Sequence, residues 1–411
     1  MSAMSKAEPP VNPRGKEPYQ QRYRWVILAF LCLAYFVFSL VSRAIAPLVT
    51  PIIEDLNISY SQMGLILGSW QLTYVAVAVI AGTVIDKLGV RKSLFAGIVI
   101  IGLSGILRYF PGGFVTMLLV VALFGIGGPM LSIGSPKTIS MWFRGKERGT
   151  AIGIYDVGMR LGGLMALAAT NSVVMPLAGY SWRLTFVYYG LLAVVIAFMW
   201  LLLARDTRPA EDTGRTGIRE VFAGLIQVRN VQILLVIGFF IFVVNHGLGN
   251  WLPKFLEAGG MSPAQAGFAA SIPIVAGIPA VLVIPRLIPP RLRGRVLALF
   301  ALMIAVILLM LVTTSGVPLY IVLVLFGIAT AVFVPLMLLI LMETPEVSSR
   351  YMGSAGGMFF CVAELGGFAG PLILGAFVDV TGGFLAGVSL LAVLCLAVGA
   401  MAFFLKTQPA P

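Results

Sequence analysis

The sequence predicts an all-α membrane protein with twelve transmembrane helices in two pseudo-symmetric six-helix bundles. Hydrophobic residues make up 59% of the 411 residues, charged residues make up 11%, and the mean hydropathy is +1.01. These values exclude an ordinary soluble domain. Apolar stretches long enough to cross a hydrocarbon core of about 30 Å recur from Trp25 to Leu405. They lack the alternation of a barrel strand, which favours helices.

Short polar or glycine-rich breaks divide the apolar sequence into twelve expected helices. In chain order they cover residues 25–50, 59–85, 92–110, 114–141, 149–173, 182–204, 230–253, 262–285, 295–314, 317–342, 351–378 and 382–405.

The basic residues predict the orientation of these helices. With both chain ends in the cytoplasm, 22 of the 28 Lys and Arg residues fall in the tails and cytoplasmic loops, and only three fall outside. Three more lie within expected spans: Arg43, Lys137 and Arg160. Because positive charge stays on the cytoplasmic side, we expect a multi-pass protein of the cytoplasmic (inner) membrane with cytoplasmic termini. The net charge of +12 then reflects topology, and no nucleic-acid partner is implied.

Polar segments suggest the domain organisation. The longest, "RDTRPAEDTGRTGIRE" at residues 205–220, divides the helices six and six. We expect six-helix bundles at 23–204 and 230–406, joined by a cytoplasmic linker at 205–229. Residues 1–22 are polar without an apolar core, which predicts a disordered cytoplasmic tail and no cleaved signal peptide.

A faint internal repeat relates the two halves. "SYSQMG" from residue 59 matches "SPAQAG" from 262, and "FGIGGP" from 124 resembles "FGIATA" from 326. "AIGIYDVGMRLGG" at 151–163 lies over "AGGMFFCVAELGG" at 355–367, so the three offsets are 203, 202 and 204. Such duplication is common in secondary transporters. It matches Arg160 with Glu364, and Arg43 with His246, the single histidine of the chain.

One loop carries a specific family signature. "GTVIDKLGVRK", between the second and third expected helices, resembles the major facilitator superfamily pattern at six positions: Gly82, Asp86, Lys87, Gly89, Arg91 and Lys92. "WFRGKERGTAIG" after the fourth helix resembles a second junction of that family. The resemblance covers residues 22–406 and implies the family's fold, with Gly82, Asp86, Gly89, Arg91 and Lys92 as a gating loop. In the family this loop ties helix 2 to helix 11 and favours the outward-facing state.

Two branches of the family are similar to this chain. "SLVSRAIAPLV", with Arg43 late in the first helix, is similar to organic-anion and organophosphate transporters, in which a first-helix arginine contacts the acid group of the substrate. "GNWLPKFLEAGGMSPAQAG" at 249–267 looks more like the cyanate and nitroimidazole branch. The proton-coupling acid that anion carriers place in helix 4 is absent, and Lys137 is the only charge there.

Candidate binding residues lie on the first and seventh helices. Tyr35, Ser39 and Arg43 are spaced by four residues and share one helical face. The Arg43 guanidinium could form a bidentate contact with an acid group, or it could reach the lipid headgroups instead. His246, four residues before Asn250, could donate to a bound anion, or it could bond only to a neighbouring carbonyl.

Candidate charged residues lie on the fifth and eleventh helices. Asp156 and Arg160 are four residues apart, in the favourable order for an intrahelical ion pair, so they are either a structural pair or part of the site. Glu364 has no charged residue within four positions, and a lone carboxyl group in a low-dielectric site is readily protonated. We expect Glu364, with Asp156 or His246 behind it, to couple transport to protons. Glu364 would meet Arg160 across the cavity in one state.

These residues predict a monomeric secondary transporter that moves a small organic anion with H+ by alternating access through the bilayer. A proton-driven exporter of lipophilic compounds and a transport-inactive sensor are the alternatives. The chain has no pattern of a catalytic nucleophile with its base, no nucleotide loop and no metal-ligand spacing, so we expect neither an enzyme nor a cofactor.

Overall fold

The computed structural model describes residues 18–145, 147–205 and 218–406. Within these ranges it contains no strand and twelve helices that are long and apolar enough to cross a membrane. We label them α1 (Pro18–Arg43), α2 (Tyr60–Leu88), α3 (Val90–Leu107), α4 (Phe114–Trp142), α5 (Glu147–Ala168), α6 (Trp182–Leu203), α7 (Arg229–Ala258), α8 (Pro263–Leu287), α9 (Arg293–Thr313), α10 (Val317–Ala331 and, beyond Val332, Phe333–Glu343), α11 (Ser348–Thr381) and α12 (Leu385–Ala402). The predicted fold class is confirmed.

Several expected boundaries differ from the observed ones. Helix α1 begins at Pro18, inside the expected tail, and residues 1–17 lie outside the described part of the chain. It ends at Arg43, before the expected limit at 50. Pro47 explains this early end, because it has no N–H to donate to the Arg43 carbonyl. In the expected linker, residues 218–225 form a short helix (Ile218–Leu225), and 206–217 are not described.

The internal repeat has a structural basis at the starts of α2 and α8. The Ser59 side chain accepts a hydrogen bond from the Gln62 backbone N–H, and the Gln62 side chain accepts one from the Ser59 backbone N–H. Ser262 and Gln265 make the same reciprocal pair at the start of α8. Such capping boxes satisfy N–H groups that the first helical turn leaves without partners. The two matched sequence segments therefore build the same local structure.

Glycines bring corresponding helices together in each half. A Cβ atom on Gly162 would lie 2.1 Å from the Phe36 carbonyl oxygen, so α5 packs directly on α1. A Cβ atom on Gly366 would lie 2.1 Å from the Phe239 carbonyl oxygen, so α11 packs in the same way on α7. Small residues allow such close crossings of membrane helices. The Leu-Gly-Gly sequence shared by the two halves is thus a packing element.

The two ends of the molecule differ in how closely the halves meet. We call the end with both chain termini, where Tyr23 and Lys406 lie, the tail side, and the opposite end the far side. On the far side α2 and α11 touch: a Cβ atom on Gly64 would lie 2.4 Å from the Pro371 carbonyl oxygen. On the tail side, a Cβ atom on Gly82 of α2 or on Gly353 of α11 would meet nothing within 4 Å. The structure is closed on the far side and open on the tail side.

Hydrogen bonds between the halves reinforce the far-side closure. The Asp379 carboxylate at the end of α11 accepts hydrogen bonds from the backbone N–H groups of Tyr60 (2.9 Å) and Ser61 (2.7 Å), at the start of α2. Thr50 donates to Glu257 and accepts from the Lys254 ammonium group of α7 at 3.0 Å. These contacts join the first and second halves of the chain, so they must break if the far side opens.

Candidate functional site

Arg43 is held by the end of α1 and by its neighbours. Its Cδ lies against α5, since a Cβ atom on Gly163 would be 2.9 Å from it. The last turn of α1 leaves carbonyl groups without helical partners, and the buried Arg108 side chain donates to one of them, Val41 O, at 2.9 Å. Arg108 also stacks on Phe186. The position of Arg43 is therefore fixed by three other helices: α3, α5 and α6.

The Arg43 guanidinium lies inside the molecule. It interacts electrostatically with Arg160 of α5 and with His246 of α7. Its side chain is solvent-exposed, and it makes no hydrogen bond or ion pair with any residue in the described ranges. We call the space between α1, α2, α5, α7 and α11 at this level the central cavity. Arg43 lies in this space together with Arg160 and His246.

Arg160 is paired with its neighbour on α5. Its Nε lies 3.0 Å from Asp156 Oδ2, and the two side chains are 25% and 46% exposed. The structure therefore realises the intrahelical pair that their spacing predicts. It does not join Arg160 to Glu364, although we expected these residues to meet in one state. The Nη groups of Arg160 make no hydrogen bond with a described residue, so they are available to a ligand as donors.

His246 lies where the two halves meet. The side-chain Nε2 of Gln71, a fully buried residue of α2, lies 3.1 Å from His246 Nδ1 and 3.5 Å from the Gly367 carbonyl oxygen. Both neighbours can accept a hydrogen bond, and when Gln71 donates to them His246 Nδ1 carries no proton. The imidazole is then neutral, with its proton on Nε2. Its ring stacks on Phe242 at 5.5 Å.

Glu364 lies beside His246. A Cβ atom on Gly367 would be 3.1 Å from Glu364 Oε2 and 3.3 Å from His246 Cδ2, so both side chains flank the same glycine. Within the described chain, the buried Oε2 has no hydrogen-bond partner. Tyr74 of α2 and Cys361 of α11 are close enough to interact with it electrostatically. A buried, unpartnered ionised carboxylate is costly, which favours a protonated or ligand-bound state.

The repeat places Arg43 and His246 in equivalent positions. In the first half Gly163, the last residue of Leu-Gly-Gly, faces Arg43, and in the second half Gly367 faces His246. The predicted correspondence between Arg43 and His246 is thus visible in the packing. The first half of the chain contributes the guanidinium of Arg43, and the second half contributes the imidazole of His246.

Three other predicted residues have smaller roles in this geometry. Ser39 is 1% exposed, and its buried Oγ has no partner among the described residues, so it packs between helices and does not line the cavity. Asn250 donates to the His246 carbonyl oxygen at 2.8 Å, a bond within its own helix. Tyr35 faces Tyr155 with ring centroids 4.7 Å apart, and its hydroxyl lies 3.5 Å from Leu131 O.

Sequence reasoning did not select several residues that complete the site. Gln71 joins the halves, Arg108 holds the end of α1, and the Tyr155 ring packs tilted against Tyr35. Tyr74 shares a 2.7 Å hydrogen bond with Ser132, on the tail side of the cavity. Tyr74 and Gln71 are three positions apart on α2, a spacing typical of one helical face, and this was the available signal. Arg108 gave no such signal, because it lies at the end of an apolar span.

The comparison with known families identifies the fold. Residues 31–371 match the family model described as the Major Facilitator Superfamily. The chain belongs to the Major Facilitator Superfamily. This membership confirms the expected family, and it supports a transporter and not an enzyme.

Relatives within the superfamily are similar over different lengths. A hexuronate transporter of Bacillus subtilis (strain 168) is 26% identical over 61% of this chain, and the match spans 61% of that transporter, less than two thirds of its length. A probable sulfoacetate transporter of Cupriavidus necator is 27% identical over 88% of this chain and 89% of its own length. A solved structure of a bacterial homologue of the human lysosomal transporter Spinster, in an inward-facing and unoccupied conformation, has a TM-score of 0.77. It is 16% identical and covers 96% of this chain and 100% of its own, which shows the shared fold.

In the described part of the chain, the superfamily gating loop contacts α4 and the end of α6. Asp86 forms an ion pair with Lys137 of α4, and Gly82 faces open space. Gly89 has a φ of +80°, which favours glycine at the turn between α2 and α3. Arg91 donates to the Leu201 carbonyl oxygen at the end of α6, and Lys92 is exposed. This arrangement agrees with the open tail side.

Charge and hydrogen bonding define what the central cavity can bind. It offers one guanidinium without an ionic partner, one neutral imidazole N–H, and one carboxyl group that lacks a cationic partner. No group of three or more His, Cys, Asp or Glu residues in the described ranges could hold a metal ion.

Proposed function

We propose that this protein is a secondary transporter that moves a small organic anion across the cytoplasmic membrane, coupled to protons. The Arg43 guanidinium, which lies near Arg160 and His246 and has no ionic partner in the described ranges, carries this proposal. Guanidinium groups bind carboxylates and sulfonates strongly in partly dehydrated sites. The two relatives named above are a hexuronate transporter and a probable sulfoacetate transporter, and both of these cargoes are organic anions.

Alternating access is supported by the difference between the two sides. The far side is closed by Asp379 and by the contact between Gly64 and Pro371, while the tail side is open. We propose that the bundles at 23–204 and 230–406 rock about the central cavity. In the opposite state the far-side contacts would break, and Asp86 would leave Lys137 to join α2 to α11. The distribution of Lys and Arg supports a cytoplasmic tail side.

Proton coupling follows from the charges around Glu364. We propose that an anion bound at Arg43 adds negative charge to the cavity that Glu364 shares, and that this favours proton uptake by Glu364. The anion and one proton then occupy the cavity together. Asp156 is the weaker candidate for a proton carrier, since its carboxylate is already paired with Arg160.

Counterflow into proteoliposomes tests the proposed cargo class. Vesicles loaded with unlabelled glucuronate should accumulate labelled glucuronate, and Arg43→Gln should abolish the uptake. Arg144→Gln, which changes an exposed arginine on the tail-side loop, is the matched control and should keep wild-type uptake. Uptake of the lipophilic cation tetraphenylphosphonium without uptake of any organic anion would contradict the proposal and support the exporter alternative.

A further inference from the structure

The ion pair on α5 has a consequence for the charge of the cargo. Two guanidinium groups, Arg43 and Arg160, belong to the central cavity, but only Arg43 lacks an acidic partner. Arg160 is bonded through Nε to Asp156, so the pair has no net charge. His246 is also neutral when its Nδ1 accepts from Gln71 Nε2, which lies 3.1 Å away. The cavity therefore has one positive charge to offer when Glu364 is protonated.

Other cations near the cavity are already compensated or lie behind its wall. Lys137 pairs with Asp86 on the tail side, and Lys254 contacts Thr50, which bonds to Glu257, on the far side. Arg108 is 1% exposed and stacks on Phe186, so a ligand does not reach it. In the described part of the chain, no further cation faces the cavity at the level of Arg43.

A second negative charge on the cargo would therefore meet no free cation. Moving an anionic group out of water is costly unless a cation or several donors replace the water. The Nη groups of Arg160 can still donate hydrogen bonds, which suits hydroxyl groups or the same acid group that binds Arg43. They cannot add net positive charge while Asp156 stays ionised. The geometry favours one anionic group accompanied by neutral polar groups.

We propose that Asp156 selects cargo by charge: by neutralising Arg160, it restricts the cavity to monovalent organic anions. This inference rests on the proposed function, since it assumes that the cavity binds an organic anion. It assigns Asp156 a role in specificity in place of the proton-coupling role that its sequence position first suggested. The relatives do not decide the point, because hexuronate has one acid group and sulfoacetate has two.

The test uses cargo pairs that differ in one acid group. Glucuronate and glucarate share a six-carbon hydroxylated skeleton, and glucarate carries a second carboxylate; lactate and malate form a shorter pair. Binding of each to the purified full-length protein is measured by thermal shift and by isothermal titration at low ionic strength. The wild type should bind the monovalent member at least tenfold more tightly in each pair.

Variants separate charge from shape. Asp156→Asn releases Arg160 and should raise glucarate affinity relative to glucuronate by about tenfold, which corresponds to 1.4 kcal/mol. Asp156→Glu keeps the charge and should keep the wild-type preference. The double variant Asp156→Asn with Arg160→Gln removes both charges, keeps the net charge of the cavity, and should also prefer monovalent anions. Asp55→Asn, which removes an acid paired with Arg183 outside the cavity, is the matched control and should leave the ratio unchanged.

The outcomes distinguish the inference from the function it rests on. If no organic anion in the panel binds the wild type, the proposed function is wrong, and the inference is wrong with it. If both members of a pair bind the wild type equally, charge selection is wrong while anion binding stands. An unchanged ratio in folded Asp156→Asn also overturns it. If Asp156→Asn does not fold, the ratio of monovalent to divalent affinity is compared in the wild type and in the double variant. Tighter binding of the divalent anion by either protein contradicts the proposal.

Discussion

At the scale of single residues, Arg43 carries the anion-binding proposal. Replacing it by Gln should weaken binding of a monovalent organic anion by about 10- to 100-fold, because a hydrogen bond to a charged group contributes about 1.5–3 kcal/mol. Arg43→Lys should recover only part of this loss, since an ammonium group cannot make the same bidentate contact. Isothermal titration measures both effects. Wild-type affinity in Arg43→Gln would show that the anion binds elsewhere.

Ser39 gives the opposite prediction at the same scale. Its hydroxyl group is buried without a partner in the described chain, and it packs between α1 and α5. Ser39→Ala should change anion affinity by less than about twofold and should leave thermal stability equal or slightly higher, because an unsatisfied buried polar group is removed. A large loss of binding would mean that Ser39 reaches the cargo in another state.

The residues of the site could be predicted only in part from the sequence. The sequence identifies four candidates because an ionisable group in an apolar span is costly to bury and usually has a function. They are Arg43, Arg160, His246 and Glu364. Their partners were less predictable. Whether Arg160 binds Asp156 or Glu364 depends on how far apart α5 and α11 lie in the central cavity, and helical spacing reports contacts only within one helix. Gln71 was underestimated because a neutral amide in an apolar helix is usually packing.

At the scale of helices, the contact between Asp379 and the start of α2 should hold the far side closed. Its carboxylate accepts from two backbone N–H groups and from the Ser61 hydroxyl group, and negative charge at a helix N-terminus is favourable. Asp379→Asn should weaken this contact by about 1 kcal/mol, which is about a fivefold shift towards the far-side-open state. Spin labels can be attached at the exposed Leu177 and Leu385, in a background without the three native cysteines. In Asp379→Asn, a larger fraction of molecules should show the longer label-to-label distance of the far-side-open state.

The matched control for this helix contact is Asp55→Asn. Asp55 is also a far-side acid, but its partners Trp182 and Arg183 belong to the same half of the chain. Its loss should leave the distance distribution unchanged. If Asp55→Asn and Asp379→Asn broaden the distribution equally, the effect is a general loss of stability and not the opening of an interface.

The helices themselves were predictable because length and apolarity decide which segments can cross a membrane. Their ends were less so. Local backbone chemistry sets them, as where Pro47 ends α1 and the far-side chain turns into the short helix Val49–Leu56. The open tail side was not predictable, because the same sequence must support both states of a transporter. The gating-loop pattern indicates that Asp86 has a latch role, but not that Lys137 binds it in this state.

At the scale of the whole molecule, Glu364 should link the anion to the proton. Its side chain flanks Gly367 beside His246 and has no cationic partner in the described chain, so the carboxyl group can change protonation without breaking an ion pair. Glu364→Gln keeps the shape but cannot release a proton. We expect counterflow of the labelled anion to persist in this variant, because exchange needs no net proton movement. We expect accumulation driven by an imposed pH gradient to fall to the level set by equilibrium of the anion alone.

The comparison of two assays makes this prediction specific. A variant that only damaged the fold would lose counterflow and gradient-driven uptake together, whereas an uncoupled transporter loses the second alone. Glu346→Gln, which changes an exposed acid on the tail side, should behave as wild type in both assays. Full gradient-driven accumulation by Glu364→Gln would move the proton carrier to another group. Asp156 would then be the next candidate, and its ion pair with Arg160 would have to open during each transport cycle.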